Sequence, residues 1–562
     1  MTTRKKDGKE HRYWSIVENH RISGGRVAQK HVLYLGEIND SQREAWWRSI
    51  EILEHGKKKP REISLFPEDR NVQSNAHDVI HVRVNQMRLE RPRQWGACWM
   101  ALLLWDQLQL DRYWAARLPP SREGTRWLNI LKILVCYRLI EPGSQWRLHR
   151  DWYGKSAIGD LLGEDGEVVP YQNLYRCLDK LIQHKDGMFT FLKQRWQDLF
   201  NAEFDVLLYD LTSTYFECDP PESGKRRYGY SRDKRSDCVQ VVIALVVTTE
   251  GFPLCYEVMD GNTSDRTTLR RFLDKIEDLY GKARRVWIMD RGIPTEEVLT
   301  EMQQAETPIY YLVGTPKGRL NKLESQLLPL PWEKVRESLN VKLLKQDKEL
   351  YVLACSTSRQ AKERAMRRRR LKQYWNRLKE LRSQKLTRDQ LLMKIGAAKK
   401  QAGNASKLVE LSFPAPHQAV SPDTFSFSLC KDKLRAIRRQ EGQYLLRSNL
   451  IGEGASTLWK YYIQLVEVEQ AFKNLKSDLS LRPIYHQKDP RIEAHIFVAF
   501  LSYCLQVTLQ QRLKALAPGL PVRSILEKFA SIQLVDVHLP TTDGKELRLS
   551  RYTEPNKEHL LL

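Results

Sequence analysis

The chain has 562 residues, which is long enough for several domains and at least one sizeable hydrophobic core. It carries 92 Lys and Arg against 69 Asp and Glu, and this net charge of +23 favours a polyanionic partner, with nucleic acid first. The nine cysteines are scattered without a CxxC pair, which argues against a zinc cluster or a disulfide framework.

The apolar runs predict no membrane partner. The longest noticeable run, near Trp99 to Trp105, is far too short to span a bilayer, and no apolar signal segment follows the charged N-terminus. We therefore expect a cytoplasmic protein.

The first 200 residues predict two regions. Residues 1–94 mix short alternating apolar segments with basic residues, which indicates a β-rich basic module, with a helix expected around residues 41–55. Residues 95–200 repeat apolar residues at helical spacing and predict a helical region. In so basic a protein this helical region is a candidate DNA-binding region, although a packed bundle with ordinary surface charges is the simpler alternative.

An acid follows each of two apolar strands. Val206 to Tyr209 runs into Asp210, and Val286 to Met289 runs into Asp290. Continuous apolar runs of this length predict strands buried on both faces, and each acid is expected at the C-terminal mouth of its strand. A carboxylate there costs free energy unless it is solvated, paired or bound to metal. One such acid alone could be a turn residue, but two predict carboxylates that converge at one sheet edge.

The element order around these acids predicts an α/β fold of the ribonuclease-H-like class. Further buried strands are expected at residues 238–248, 253–258 and 309–313, with helices at 265–279 and from 294. The resulting order β-β-β-α-β-α-β is that of the ribonuclease-H-like fold. That fold requires one further helix, which brings a third acid to the same edge.

The third acid is expected on a later helix. Residues 315–450 predict a β-rich insertion with a basic helical stretch at 364–400, for which DNA-backbone contact and a solvated face are equally good interpretations. Residues 456–480 contain no Gly or Pro and predict one helix. On it, Glu469 shares a stripe with Tyr462, Leu465, Lys473 and Lys476, which favours Glu469 over Glu467 as the third acid.

This helix resembles the signature of bacterial insertion-sequence DDE transposases, Tyr-x2-Arg-x3-Glu-x6-Lys. Tyr462, Glu469 and Lys476 match it, whereas Leu465 stands where the signature has Arg. The β-rich insertion before the Glu and the segments 481–486 and 491–495 also resemble that group. The resemblance covers roughly residues 200–515.

The resemblance implies a mechanism and its residues. Asp210, Asp290 and Glu469 would be catalytic and would bind two Mg²⁺ ions, with Mn²⁺ as a substitute, because two hard cations can activate the nucleophile and stabilise the leaving oxygen. The residues expected to bind DNA are Tyr462, Lys473, Lys476, Arg291 and Arg482. Lys473 or Arg482 would replace the contact that Leu465 cannot make.

The resemblance implies a transposase that cuts and rejoins double-stranded DNA at the terminal inverted repeats of its own element and inserts it into target DNA. A homodimer in the synaptic complex and a nucleoid-associated location in the bacterial cytoplasm are expected. The alternatives are a metal-dependent nuclease without strand transfer and a transposase-derived DNA-binding protein. The predicted regions are the β-rich module at 1–94, the helical region at 95–200, the first part of the core at 201–314, the insertion at 315–450, the second part of the core at 451–535 and a C-terminal tail at 536–562.

Overall fold

A computed structural model describes residues 2–6, 9–21, 27–37, 50–53, 80 and 82–561, apart from 165–168, 265–267, 291, 308, 316, 417, 483 and 518. The chain divides into two compact units. The first unit contains residues 1–185 and 474–562, and the second contains residues 186–473.

The strands of the described residues are numbered in chain order. They are β1 (Thr2–Lys6), β2 (Lys9–Arg21), β3 (Val27–Glu37), β4 (Ile50–Leu53), β5 (Arg88–Gln94), β6 (Val206–Phe216), β7 (Val239–Thr248), β8 (Pro253–Asp260), β9 (Val286–Met289), β10 (Tyr310–Gly314), β11 (Glu333–Arg336), β12 (Leu339–Gln346), β13 (Glu349–Ser356), β14 (Val409–Ser412), β15 (Ser426–Leu429), β16 (Gln443–Ser448), β17 (Gln533–Pro540) and β18 (Glu546–Tyr552).

The α-helices are numbered in the same way. They are α1 (Gly96–Gln107), α2 (Leu110–Trp114), α3 (Trp127–Ile140), α4 (Gln145–Arg147), α5 (Tyr153–Lys155), α6 (Ile158–Leu162), α7 (Tyr171–Leu178), α8 (Lys185–Phe200), α9 (Leu269–Tyr280), α10 (Glu296–Gln304), α11 (Lys317–Leu327), α12 (Thr357–Ser383), α13 (Arg388–Ala402), α14 (Lys431–Gln440), α15 (Ala455–Ile463), α16 (Leu465–Lys473), α17 (Asp489–Leu516), α18 (Val522–Phe529) and α19 (Lys557–Leu561). Short 3₁₀ turns occur at Val84–Gln86, Ile182–His184 and Gly403–Leu408, and π-helical turns at Leu148–Trp152 and Asn474–Asp478.

The second unit is built on a nine-stranded sheet in the order β11-β12-β13-β16-β10-β9-β6-β7-β8. Strands β6, β7 and β8 form an antiparallel meander, and β9 and β10 join β6 in parallel. Helices α9 and α10 connect β8 to β9 and β9 to β10. Every residue of β7 is buried, as its continuous apolar sequence predicts. This arrangement is the ribonuclease-H-like fold that the element order predicted.

The insertion contributes to the same sheet. Strand β16 pairs antiparallel with both β10 and β13, and β12 and β11 extend the sheet beyond β13. Helices α12 and α13 and the β14–β15 hairpin form a second small core, which includes Leu378, Leu391 and Phe425. The insertion is therefore a mixed α and β segment in which four strands belong to the central sheet.

The first unit combines helices with an antiparallel sheet in the order β4-β18-β17-β5. Strands β1, β2 and β3 form a separate antiparallel sheet. Helix α17 packs against α3 and α1. The helix expected at 41–55 falls largely outside the described residues, and its described part, Ile50–Leu53, is a strand because it pairs with β18.

Two further expectations are wrong. Residues 536–562 are not a tail: β17 and β18 form a hairpin that is largely buried along β17, and pairing with β5 and β4 completes a sheet. The expectation that the run near Trp99 to Trp105 is the longest apolar one is also wrong. Asp489–Lys514 in α17 is long and apolar enough to cross a membrane, but 94% of its most apolar window is buried inside the protein, as in a core helix.

Candidate active site

Asp210 and Asp290 are placed by the parallel pairing of β6 with β9. The last paired residues are Tyr209 and Met289, and each acid is the next residue along the chain. The expectation that Asp210 ends its strand is wrong, because β6 continues to Phe216 in its pairing with β7. The site edge is instead the place where β9 ends beside the middle of β6.

Glu469 is placed by the packing of α16 on β6 and β7. The buried residues of α16 are Leu465, Val468, Ala471 and Phe472. Their spacing directs one face of the helix to the sheet and leaves Glu469 exposed beside it.

The helix expected at 456–480 is interrupted. It ends at Ile463, and Gln464 forms a tight turn in which its N–H donates to the Tyr461 carbonyl. A second helix follows to Lys473 and a π-helical turn occupies Asn474–Asp478. No Gly or Pro occurs at this break. The sequence therefore gives no sign that the helical spacing of 100° per residue is interrupted there. The expected single stripe from Tyr462 to Lys476 is therefore not one straight face.

All three acids line one cavity of about 190 Å³ in the second unit. The other lining residues are Arg359, Tyr444, Trp459, Tyr462, Ile463, Leu465, Val466 and Val468. Acids from a central strand, a neighbouring strand end and a packed helix thus line one space.

Negative charge is concentrated in this cavity. Burial and, to a smaller extent, the nearby carboxylates of Asp290 and Glu469 raise the pKa of Asp210 to about 7, against the lowering effects of the Leu211 N–H and Arg232. Burial, together with Asp290 and Glu469, also raises the pKa of Tyr462 to about 12. A cation bound among the three carboxylates would relieve this unfavourable electrostatic interaction.

The donor set fits a hard divalent cation, because carboxylate oxygens are the ligands that Mg²⁺ prefers. Within the ranges that the structure describes, no three His, Cys, Asp or Glu side chains form a ready-made metal-binding group. The three acids line the same cavity without converging on one point, and Glu469 is the exposed member of the set. Mg²⁺ keeps several waters and requires few protein ligands, so this open arrangement fits it.

One wall of the cavity is aromatic and basic. The Arg359 guanidinium carbon lies 3.8 Å from the centroid of the Tyr444 ring, within the range of a cation–π contact. The Tyr462 ring lies 6.2 Å from Tyr444 and 5.8 Å from Trp459. Arg359 Nε also donates to a Glu363 carboxylate oxygen at 2.8 Å. The cavity thus holds a fixed positive charge on the wall that faces three acids.

Arg359, Tyr444 and Trp459 were not predicted from the sequence. Trp459 precedes Tyr462 by three residues on α15, so the spacing of the helix could have found it. Arg359 and Tyr444 are 85 residues apart in the numbering, and the pairing of Ala354 with Tyr444 between β13 and β16 brings them together. No local sequence pattern predicts that pairing of two distant strands.

The predicted DNA-binding residues are distributed over both units. Tyr462 lines the cavity and Lys473 is exposed at the end of α16 in the second unit. Lys476 and Arg482 are half-buried and belong to the first unit. Arg291 lies outside the described residues. Leu465 is a buried residue of the cavity wall, so the signature arginine is replaced there by an apolar side chain.

Two histidines of the segments that resemble the transposase group have a packing role in the first unit. The rings of His486 and His495 are 5.2 Å apart and both are buried. Burial lowers the pKa of His486 to about 4, so that it stays neutral. His495 lies within hydrogen-bond distance of Gln145 and of the Leu481 carbonyl. His495 is a residue of α17, so these contacts belong to the packing of that helix.

Comparisons with known proteins identify the family to which this chain is similar. A family model described as "Transposase DDE domain" matches residues 205–505, more than half of the chain, and one described as "IS1634 family transposase, N-terminal domain" matches residues 1–63. No curated protein matches the sequence. One similar solved structure is a cryo-EM structure of a piggyBac transposase synaptic complex with hairpin DNA, at 9% identity and a TM-score of 0.37, covering 76% of this chain and 79% of that chain.

Proposed function

Since this chain belongs to the transposase DDE domain family, we propose that Asp210, Asp290 and Glu469 are the carboxylates with which it cuts and rejoins DNA. The protein is a DNA transposase, and the assignment of these three residues is what the proposal adds. The observation that supports it is the shared cavity, in which all three side chains meet at the edge where β9 ends.

The carboxylates would hold divalent ions, on which enzymes of this family depend. We assign Mg²⁺, as two ions, with Mn²⁺ as a substitute. When bound, the ions supply an activated oxygen nucleophile and stabilise charge on the leaving oxygen. Asp210 must lose its proton to act as a ligand, so the proposed role requires its carboxylate form.

The other residues of the cavity would position the DNA. Arg359 is held between the Tyr444 ring and Glu363 and would donate to a phosphate oxygen next to the scissile bond. Tyr462 would pack against the backbone of the element end. Lys473, Lys476, Arg291 and Arg482 would contact further phosphates, because lysine and arginine neutralise the DNA backbone without reading its sequence.

The substrates would be the terminal inverted repeats of the element that encodes the protein and a double-stranded target. Pairing of two ends would use a homodimer of this chain in the synaptic complex. Its place would be the bacterial cytoplasm in association with the nucleoid, as the net charge of +23 favours.

The test is to incubate the protein with a plasmid that carries its gene and the flanking genomic DNA, in the presence of Mg²⁺, and to map the broken and joined ends. Cuts at the element ends together with element DNA joined to new sites are expected. Cuts without joined products would indicate a nuclease, and binding without cuts would indicate a transposase-derived DNA-binding protein.

A further inference from the structure

Helix α12 begins at the active-site cavity and extends away from it. Arg359, in its first turn, lines the cavity with the three acids. The helix continues for 27 residues, which is about 40 Å at 1.5 Å per residue. It carries eleven Lys or Arg residues and two Glu. The helix is therefore a long basic rod with one end at the reaction site.

Some of these arginines hold the helix in place. Arg367 and Arg364 pair with Glu441 at 2.6 and 3.4 Å, and Glu441 is buried. The Gly442 N–H donates to Glu363 at 2.9 Å. Gly442 has φ of +80°, and a Cβ there would lie 2.7 Å from the Ser356 carbonyl oxygen, so the turn before β16 packs directly on the start of α12. These contacts fix the direction in which α12 leaves the cavity.

The remaining basic residues form an exposed face. At about 100° per residue, five of them fall within a sector of about 120°. They are Lys362, Arg368, Arg369, Lys372 and Lys379, which we call the basic face of α12. The opposite side of the helix is buried through Tyr374, Leu378 and Leu381.

The basic face carries charge without compensation. In the described part of the chain, none of its five side chains forms an ion pair, whereas Arg377 on the same helix pairs with Glu380 at 2.8 Å. Arg368 and Lys372 are four residues apart, and like charges at that spacing repel each other. The small core of α12 and α13 keeps the helix folded in spite of this repulsion. A polyanion along this face would remove the repulsion and release its own counterions.

We propose that the basic face of α12 binds the phosphate backbone of a DNA duplex whose cleavage site lies in the cavity. The inference rests on the proposed function, because it takes the cavity as the place of cleavage. Lys372 lies 13 residues beyond Arg359, about 20 Å along the helix, which corresponds to about six base pairs. Lys379 corresponds to about nine base pairs from the cut.

The experiment compares two triple variants of the full chain. Arg368→Gln/Arg369→Gln/Lys372→Gln removes three charges from the basic face. The control, Lys399→Gln/Lys400→Gln/Lys407→Gln, removes three exposed charges from α13 and the turn after it. Binding to a labelled duplex from the genomic DNA that flanks the gene is titrated at several salt concentrations in EDTA, so that no cleavage occurs. The slope of log K against log salt should fall by about 2 to 3 units in the first variant only.

Shorter duplexes give the second readout. A duplex trimmed to fewer than about four base pairs beyond the cut site should bind wild type and the first variant equally, because it cannot reach Arg368, which lies nine residues or about 14 Å beyond Arg359. An unchanged slope, or equal losses in both triple variants, would overturn the proposal. If the triple variant unfolds, the single changes Arg369→Gln and Lys372→Gln should each lower the slope by about 0.9. Binding is measured without metal, so its result does not depend on whether the three acids are the catalytic residues. The two proposals can therefore fail separately.

Discussion

Asp210 and Asp290 occupy matched positions at two hydrogen-bonded parallel strands, each one residue beyond the paired Tyr209 and Met289. The register alone brings two carboxylates to one sheet edge, and α16 then adds Glu469 to the same cavity. Burial, together with the neighbouring charges of Asp290 and Glu469, raises the pKa of Asp210 to about 7. A site built at such a cost in stability is consistent with a role in binding a cation.

The first prediction concerns the three acids. Asp210→Asn, Asp290→Asn and Glu469→Gln should each abolish cleavage of the element ends, because the amide keeps the shape but removes the charge that holds a divalent ion. Binding to DNA in EDTA should stay close to that of wild type. Gel analysis of cleavage and a binding titration measure the two effects separately.

Glu467→Gln is the matched control for Glu469→Gln. Both residues are on α16 two positions apart, but only Glu469 lines the cavity. The control should cleave at a rate near that of wild type. Full activity of Glu469→Gln, or equal losses in both variants, would remove Glu469 from the proposed triad.

The second prediction concerns Arg359. Arg359→Ala should lower the cleavage rate by about 10²-fold, the usual cost of losing one positioned donor to a reacting group. Arg359→Lys should recover only part of the rate, because an ammonium neither stacks on Tyr444 as a plane nor donates in a fork. The control is Arg377→Ala on the same helix, whose partner Glu380 is a surface residue, and it should leave the rate unchanged.

A change at Leu465 tests whether Arg359 supplies the charge that the transposase signature places on the Glu469 helix. Leu465→Arg introduces a guanidinium into the wall of the same cavity. Combined with Arg359→Ala, it should restore part of the cleavage rate. A double variant less active than Arg359→Ala, with an unchanged melting temperature, would show that the two positions are not equivalent.

The sequence was sufficient to predict the strands that carry the first two acids and the order of the meander. Their apolar runs are continuous because both faces are buried, and this is a local signal. The choice of Glu469 over Glu467 stays a prediction: it relied on a stripe from Tyr462 to Lys476 that the break at Gln464 interrupts, although Glu469 does line the cavity.

The rest depended on pairing between distant segments. Strand β16 lies between β10 and β13, which places the insertion in the central sheet and brings Arg359 to Tyr444. No local periodicity encodes such partners. The break at Gln464 was also not predicted. The residues around it are good helix formers, so the turn between α15 and α16 depends on how the two helices pack and not on local propensity.

The third prediction concerns Lys476. The signature makes this lysine a phosphate contact, so Lys476→Ala should weaken binding to an element end and reduce the slope of log K against log salt by about one unit. Metal binding at the acids should persist, since lysine gives no ligand to Mg²⁺. Titration of both proteins at several salt concentrations measures this. Identical slopes and affinities in the two proteins would mean that Lys476 does not contact the DNA backbone.

The fourth prediction concerns Asp536, a fully buried acid of β17 in the first unit. Its carboxylate accepts hydrogen bonds from Arg93 at 2.8 and 3.0 Å, from Arg548 at 2.8 Å and from Ser550 at 2.8 Å. Burial alone would raise the pKa of Asp536, but these donors hold it far below its ordinary value. Arg93 is itself buried, so the two charges depend on each other.

Asp536→Asn should lower the free energy of unfolding by about 3 kcal/mol at neutral pH, because it removes the buried counter-ion of Arg93 and leaves that guanidinium only the partly exposed carboxylate of Asp160, 3.1 Å from its Nε. The depressed pKa means that the folded state binds fewer protons than the unfolded state, so the contribution of Asp536 is complete above the unfolded pKa of about 3.9 and is lost as the pH falls below it. The difference between variant and wild type should therefore shrink from pH 7 to pH 3. Asp543→Asn, in the exposed turn of the same hairpin, should unfold like wild type at both pH values. Denaturant unfolding of the three proteins measures this, and a difference that stays constant with pH would mean that shape rather than charge makes Asp536 stabilising.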